Sequence, residues 1–178
     1  MKRFLPLILF FCLLPLYAFE VAYPPLMNNG TIFINTGVGF LGIHTDKKQE
    51  NITVPMLTVS MDAAIPVAGL PFTLGLITGY FSEDYSVGVG DMNDIHFDFI
   101  PIGARIGFHV DFDVPNLNTY AMLTLGAVIG LNDIENQYRF WFGFGIGGRY
   151  FFHPNIGAFL ELGFDSEQAI AAGVCFKF

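Results

Sequence analysis

Histidine and carboxylate side chains are the first place to look for chemistry in this sequence. Three of the four histidines are followed two residues later by aspartate: His44/Asp46, His96/Asp98 and His109/Asp111. Residues two apart on an extended strand share a face, so each pair presents an imidazole beside a carboxylate. A metal site usually takes three or four ligands, and these pairs fall at opposite ends of the architecture inferred below, so no metal is expected. Hydrolytic chemistry lacks its nucleophile. The residues two after each histidine are Asp46, Asp98, Asp111 and Asn155, so no serine stands where a histidine base would activate it. The run Asp91-Met92-Asn93-Asp94 offers oxygen ligands without the glycine and closing glutamate of a calcium loop. Cys12 lies in the apolar N-terminal segment, which leaves Cys175 without a disulfide partner. No CxxC and no phosphate-cradling glycine loop is present. The reading is a non-enzyme with no cofactor.

A second set of polar residues interrupts otherwise apolar segments: Asn35, Ser60, Asp62, Arg105, Arg149, Glu161 and Lys177. A buried charge is tolerable only when paired, so these residues are expected to form a connected network inside the molecule. Two roles stay open for it. It is structural filling, with Phe33, Trp141 and Phe159 adding bulk, or it lines a narrow path. The abundant glycines either relieve crowding beside aromatics or leave real space. A third set is acidic and sits in connectors: Asp46, Glu50, Glu83, Asp84, Asp91, Asp94, Asp133, Glu135, Asp165 and Glu167, against only Lys47 and Lys48. Such a rim concentrates cations, bridges to lipid phosphates through a divalent ion, or is simply a solvated loop surface.

The elements that must position these residues follow from composition and period. Of 178 residues, 53% are hydrophobic and 13% charged, with 21 Phe and 20 Gly. About 25% charged is ordinary for soluble domains, so this chain has an outsized core or a surface that does not face water. Residues 138–150 alternate strictly. Tyr138, Phe140, Phe142, Phe144, Ile146, Gly148 and Tyr150 oppose Arg139, Trp141, Gly143, Gly145, Gly147 and Arg149, which is the period of a strand with a lipid face and a lumen face. The same split recurs in 99–110, 156–164 and 170–178. The stretch 56–81 carries only Asp62 as a charge, yet Pro66 and Pro71 bracket a turn better than a helix.

Eight strands are expected, near 30–44, 51–63, 71–82, 95–110, 118–131, 138–152, 156–165 and 169–178. The turns 64–70, 111–117 and 153–155 contain prolines, and the connectors 45–50, 83–94, 132–137 and 166–168 face the other way. Strands in lipid cannot leave backbone groups unpaired, so the sheet must close. The expected fold is therefore all-β: an eight-stranded antiparallel transmembrane β-barrel over 30–178. Lys2 and Arg3 ahead of an apolar stretch to Leu16, with Ala18 as a small cleavage residue, make 1–18 a secretory signal peptide rather than an anchor helix or a lipoprotein signal, and 19–29 a short periplasmic lead-in. An even strand count puts both termini on the periplasmic side. Loss of Lys2 and Arg3 deepens the formal charge of −8, which argues against nucleic-acid binding.

The last strand, Gly173-Val174-Cys175-Phe176-Lys177-Phe178, resembles the C-terminal signature of bacterial outer-membrane barrels, apolar residues alternating to a terminal Phe. The resemblance implies that Val174, Phe176 and Phe178 form a signal read by the barrel-assembly machinery. The stretch from Arg149 to Gly157 resembles the aromatic strand and Pro-Asn turn of OmpA-, OmpX- and OmpW-type barrels. The partners implied are outer-membrane lipid, that machinery, and a small apolar solute or an extracellular partner. The leading expectation is a non-enzymatic barrel with a structural or surface-recognition role through its outer loops. The rivals are a narrow OmpW-like channel for small apolar molecules and a soluble lipocalin-like carrier with its Phe-rich faces turned inward.

Overall fold

A computed structural model describes residues 26–41, 50–67, 69–86, 94–131, 138–165 and 168–178. It contains eight strands: β1 (Ile32–Leu41), β2 (Glu50–Val67), β3 (Leu70–Ser86), β4 (Asp94–Val110), β5 (Leu117–Gly130), β6 (Tyr138–His153), β7 (Ile156–Asp165) and β8 (Gln168–Lys177). Each pairs antiparallel with its neighbours, and β8 returns to β1 to close the barrel. The closing seam runs from Phe33↔Lys177 to Leu41↔Gln168, with an irregularity at Phe40/Leu41. Reciprocal bonds between Ile32 and Phe178, Ile32 N to Phe178 O at 3.0 Å and Phe178 N to Ile32 O at 2.9 Å, finish it. The start of β1 and the end of β8 therefore share one end of the barrel, called the inner end below.

Period-2 alternation dictates which side chains face out. Phe140, Ile146 and Phe164 are each more than 60% exposed, while Trp141 and Arg149 between them are at most 1% exposed. The exposed apolar side continues around the barrel through Leu57, Val59 and Met61 on β2, Leu74 and Leu76 on β3, and Ile102 and Ile106 on β4. At about 25 cal/mol per Å² such a surface is costly in water, and with a polar interior it is the face of a transmembrane barrel. The Phe-rich faces point outward, which overturns the lipocalin-like alternative.

Several element ends differ from expectation. The turn placed at 64–70 is shorter than expected, because Val67 still pairs with Leu70. Gly69 adopts φ 78° there, the left-handed backbone that tight hairpins need and glycine takes without strain. Strand β3 runs on to Ser86, so Glu83 and Asp84 lie in a strand and not in a loop. The 111–116 turn carries two non-glycine residues at positive φ, Asp113 and Asn116, residue types that tolerate this conformation. The lead-in also behaves differently. Gly30 N donates to Ala64 O, Thr31 N donates to Asn28 O, and Met27 is buried against Phe33, Phe151, Phe159 and Cys175. Met27, with half-buried Leu26 beside it, thus packs into the inner mouth, while residues 28–30 stay exposed. The signal segment 1–18 and residues 19–25 lie outside the described residues.

The lumen is filled in three layers. Met56, Ile77, Phe81, Phe99, Val128 and Trp141 form an apolar layer toward the outer end. The Met27 cluster, which also contains Ala64 and Ala171, forms the inner one. Between them lies the polar network.

Candidate functional site

The lumen stripes of β2, β4, β6 and β7 each deliver one charge to the middle layer: Asp62, Arg105, Arg149 and Glu161. All four are at most 3% exposed. Arg105 donates from Nη2 to Glu161 Oε1 at 2.7 Å and from Nη1 to Ser60 Oγ at 3.2 Å, and its Nε lies 3.7 Å from Asp62 Oδ1. Arg149 donates from Nη2 to Asp62 Oδ2 and from Nε to Asn35 Oδ1 at 2.9 Å. Asn35 in turn donates to Ser60 Oγ at 2.8 Å. Two cations balance two anions, and the interior can be dry because every charge has a charged, hydrogen-bonded partner.

The network extends to residues that were not expected in it. Tyr120 on β5 donates its hydroxyl to Glu161 Oε1 at 2.6 Å. Its ring and that of Phe33 sandwich the Arg149 guanidinium, at 4.2 and 4.5 Å from the centroids, a cation–π geometry that restrains the side chain on both faces. Arg149 Nη1 also reaches Asn118 Oδ1 at 3.3 Å. His109 completes the edge, with Nδ1 3.1 Å from Asn118 Oδ1 and Nε2 3.2 Å from Thr73 Oγ1. Both ring nitrogens are engaged, so His109 offers no lone pair beside Asp111, whose Oδ1 accepts from the Asp113 backbone N–H. Among the described residues no group of three or more His, Cys, Asp or Glu is placed to hold a metal. The signal for Tyr120, Asn118 and Thr73 was their parity on the lumen stripe.

Six of the seven residues expected in the network are brought together: Asn35, Ser60, Asp62, Arg105, Arg149 and Glu161. Lys177 is not among them. Strand parity placed it in the lumen, but its position at the inner end of β8 leaves it half-buried, with Nζ 5.1 Å over the Phe151 ring.

The expected acidic outer rim needs correction at Glu83. It is 1% exposed and turned into the barrel mouth, where Arg139 Nη2 lies 3.9 Å from Glu83 Oε2 and the Arg139 guanidinium covers the Phe99 ring at 4.6 Å. An ion pair over an aromatic layer replaces a solvated loop carboxylate. The backbones of Asp84 and Asp94 lie in β3 and β4. Asp91, Asp133 and Glu135 fall outside the described residues, as do His44 and Asp46. On β8, Val174 and Phe178 are exposed and Phe176 is half-buried on the outward stripe.

The glycines answer the question of crowding or space. A Cβ on Gly147 would stand 2.5 Å from Tyr120 Cζ, so this glycine makes room for a ring beside the wall. On Gly173 and Gly103 it would first meet the neighbouring strand's backbone, at Thr36 O and Leu125 O respectively, with the Phe159 and Trp141 rings beyond at 2.9 and 3.2 Å.

The chain matches no family model, and no curated protein matches its sequence. Among solved structures it is similar to a de novo designed transmembrane β-barrel, with 20% identity over 85% of this chain and 98% of that chain and a TM-score of 0.44. It is also similar to the outer membrane protein Ail of Yersinia pestis in a phospholipid nanodisc, with 17% identity over 84% and 99% and a TM-score of 0.44. The N-terminal β-barrel domain of Pseudomonas aeruginosa OprF shows 16% identity over 85% and 98%, with a TM-score of 0.41.

Proposed function

We propose that the chain is a non-enzymatic integral barrel of the bacterial outer membrane, with its inner end periplasmic, acting as a structural and surface-recognition element through its outer loops. One observation carries this reading: the charge-balanced plug of Asp62, Arg105, Arg149 and Glu161, closed between two apolar layers. Ions moving along the axis would have to part buried ion pairs, and apolar solutes would have to cross them. The outer apolar layer, with half-buried Phe97 packed on it, favours the narrow apolar channel as the second reading, and the plug beneath it opposes that path. Planar-bilayer recordings of refolded protein test the choice. The proposal expects a silent bilayer with correctly folded barrel. Steady conductance blocked by small apolar solutes would overturn it in favour of the channel.

A further inference from the structure

On the lipid side, the outer faces of β5, β6 and β7 and the end of β4 enclose a groove of about 630 Å³. Its floor exists because small residues meet there: Ala121, Gly148 and Ala158. A Cβ on Gly148 would meet nothing nearer than Leu117 Cδ1 at 3.9 Å. No ring demands this glycine, unlike Gly147. Ile146, Leu160 and Leu162 wall the groove, and Phe112 stands at its inner rim. Thr119 on the floor gives its hydroxyl to Val110 O, so the surface offered is mostly apolar, with the Tyr150 side chain at its inner part.

The groove is continuous with the lipid-facing belt. From Ile146 to Tyr150 it runs four residues along β6, about 13 Å at the usual strand rise, which a strand tilt of about 40° turns into about 10 Å along the membrane normal, two-thirds of the ~15 Å of one leaflet. Where it reaches the inner interface, Phe112 is flanked by Asp111 and Asp113, and Asp113 is exposed. Arg149, the nearest buried cation, is committed to Asp62 inside the barrel. An apolar slot spanning most of a leaflet, whose rim residue Phe112 has a carboxylate on either side in the chain, fits an amphiphile with an acyl chain at one end and a cation at the other.

We propose that this groove binds a phospholipid of the inner leaflet, one acyl chain lying over Gly148 and a cationic amine headgroup lying at Asp111 and Asp113. The inference rests on the membrane reading above. Headgroup preference comes from the carboxylates, which attract the ammonium of an ethanolamine headgroup, whereas phosphatidylglycerol presents them with its phosphate charge uncompensated.

The test refolds the protein into vesicles of phosphatidylethanolamine and phosphatidylglycerol in equal parts, extracts it in mild detergent and counts retained lipids by native mass spectrometry. Wild type is expected to retain one phosphatidylethanolamine per barrel. Gly148→Phe, which fills the groove from a position with room for it, should cut retention about tenfold, the equivalent of about 1.4 kcal/mol. Asp111→Asn with Asp113→Asn should cut it roughly two- to fivefold, as for exposed ion pairs. Equal retention in wild type and Gly148→Phe, or equal retention of the two lipids, would overturn the proposal. So would a barrel dimer that Gly148→Phe abolishes, which would make the occupant a second copy. Heat-dependent gel mobility separates the two levels: a chain that never folds into the bilayer sinks the membrane reading together with this one, whereas a folded barrel that retains no lipid sinks the groove alone.

Discussion

Replacing Arg105 with Leu tests whether the lumen network is a structural plug. Glu161 would keep the Tyr120 hydroxyl and lose its cation, and Ser60 would lose one donor. Two unit charges about 4 Å apart at an effective dielectric near 20 attract by roughly 4 kcal/mol, in line with the 3–5 kcal/mol typical of leaving one partner of a buried pair uncompensated. The single variant should therefore lose about 3–5 kcal/mol. Adding Glu161→Gln removes the orphaned charge, so the double variant should recover about half of that loss, a coupling well above the 0.3–0.5 kcal/mol scatter of independent sites. Trp141 is the only tryptophan and is fully buried, so its emission reports unfolding in urea from lipid vesicles. A single-variant loss under about 1 kcal/mol, the range of an exposed pair, would refute the plug. So would additive losses.

Two further outcomes are expected. Gly147→Val, on the lumen side against the Tyr120 ring, should cost at least the 1–3 kcal/mol usual for overpacking, while Gly148→Ala next to it, facing lipid, should be neutral or slightly stabilising. The same urea titration reads both, and equal effects at the two positions would count against the assigned faces. Met27→Ala should loosen the inner mouth by about 2 kcal/mol, the low end for a buried methionine, and speed labelling of buried Cys175 by a water-soluble maleimide added at the inner end. An unchanged labelling rate would mean that Met27 does not seal that mouth.

The strands were legible because alternation is a strong signal wherever one face meets lipid and the other a narrow lumen. Phe140 and Trp141 declare opposite faces by type alone. What alternation misses is height. Glu83 read as a loop residue because charge ordinarily marks solvent, yet β3 rises far enough for Arg139 to neutralise it inside the mouth. Lys177 has lumen parity but sits at the inner end of its strand, where its amine settles on Phe151. Tyr120 and His109 were passed over for a different reason. A phenol and an imidazole are ordinary on any wall: His109 meets Asn118 and Thr73 on the neighbouring strands, and only closure sets Tyr120 against Glu161 on β7. Met27 carried no signal at all, since a lone methionine before the first strand is buried only by a cavity that the closed barrel creates.

The wiring of the charge pairs has a consequence for how the barrel is built. Asp62 on β2 meets Arg149 on β6, half the circumference away, and Arg105 on β4 meets Glu161 on β7. Neither pairing is available to adjacent strands, so a growing sheet carries hydrated charges on the face that will become the inside. Each such charge holds water and opposes entry into hydrocarbon. Asp62 and Arg105 approach each other across β3, 3.7 Å apart, but their hydrogen-bonded ion partners arrive only when β6 and β7 swing round, and only then can the water leave. Burying these charges is thereby tied to ring closure, since a half-made barrel leaves Asp62 and Arg105 without their hydrogen-bonded partners on β6 and β7.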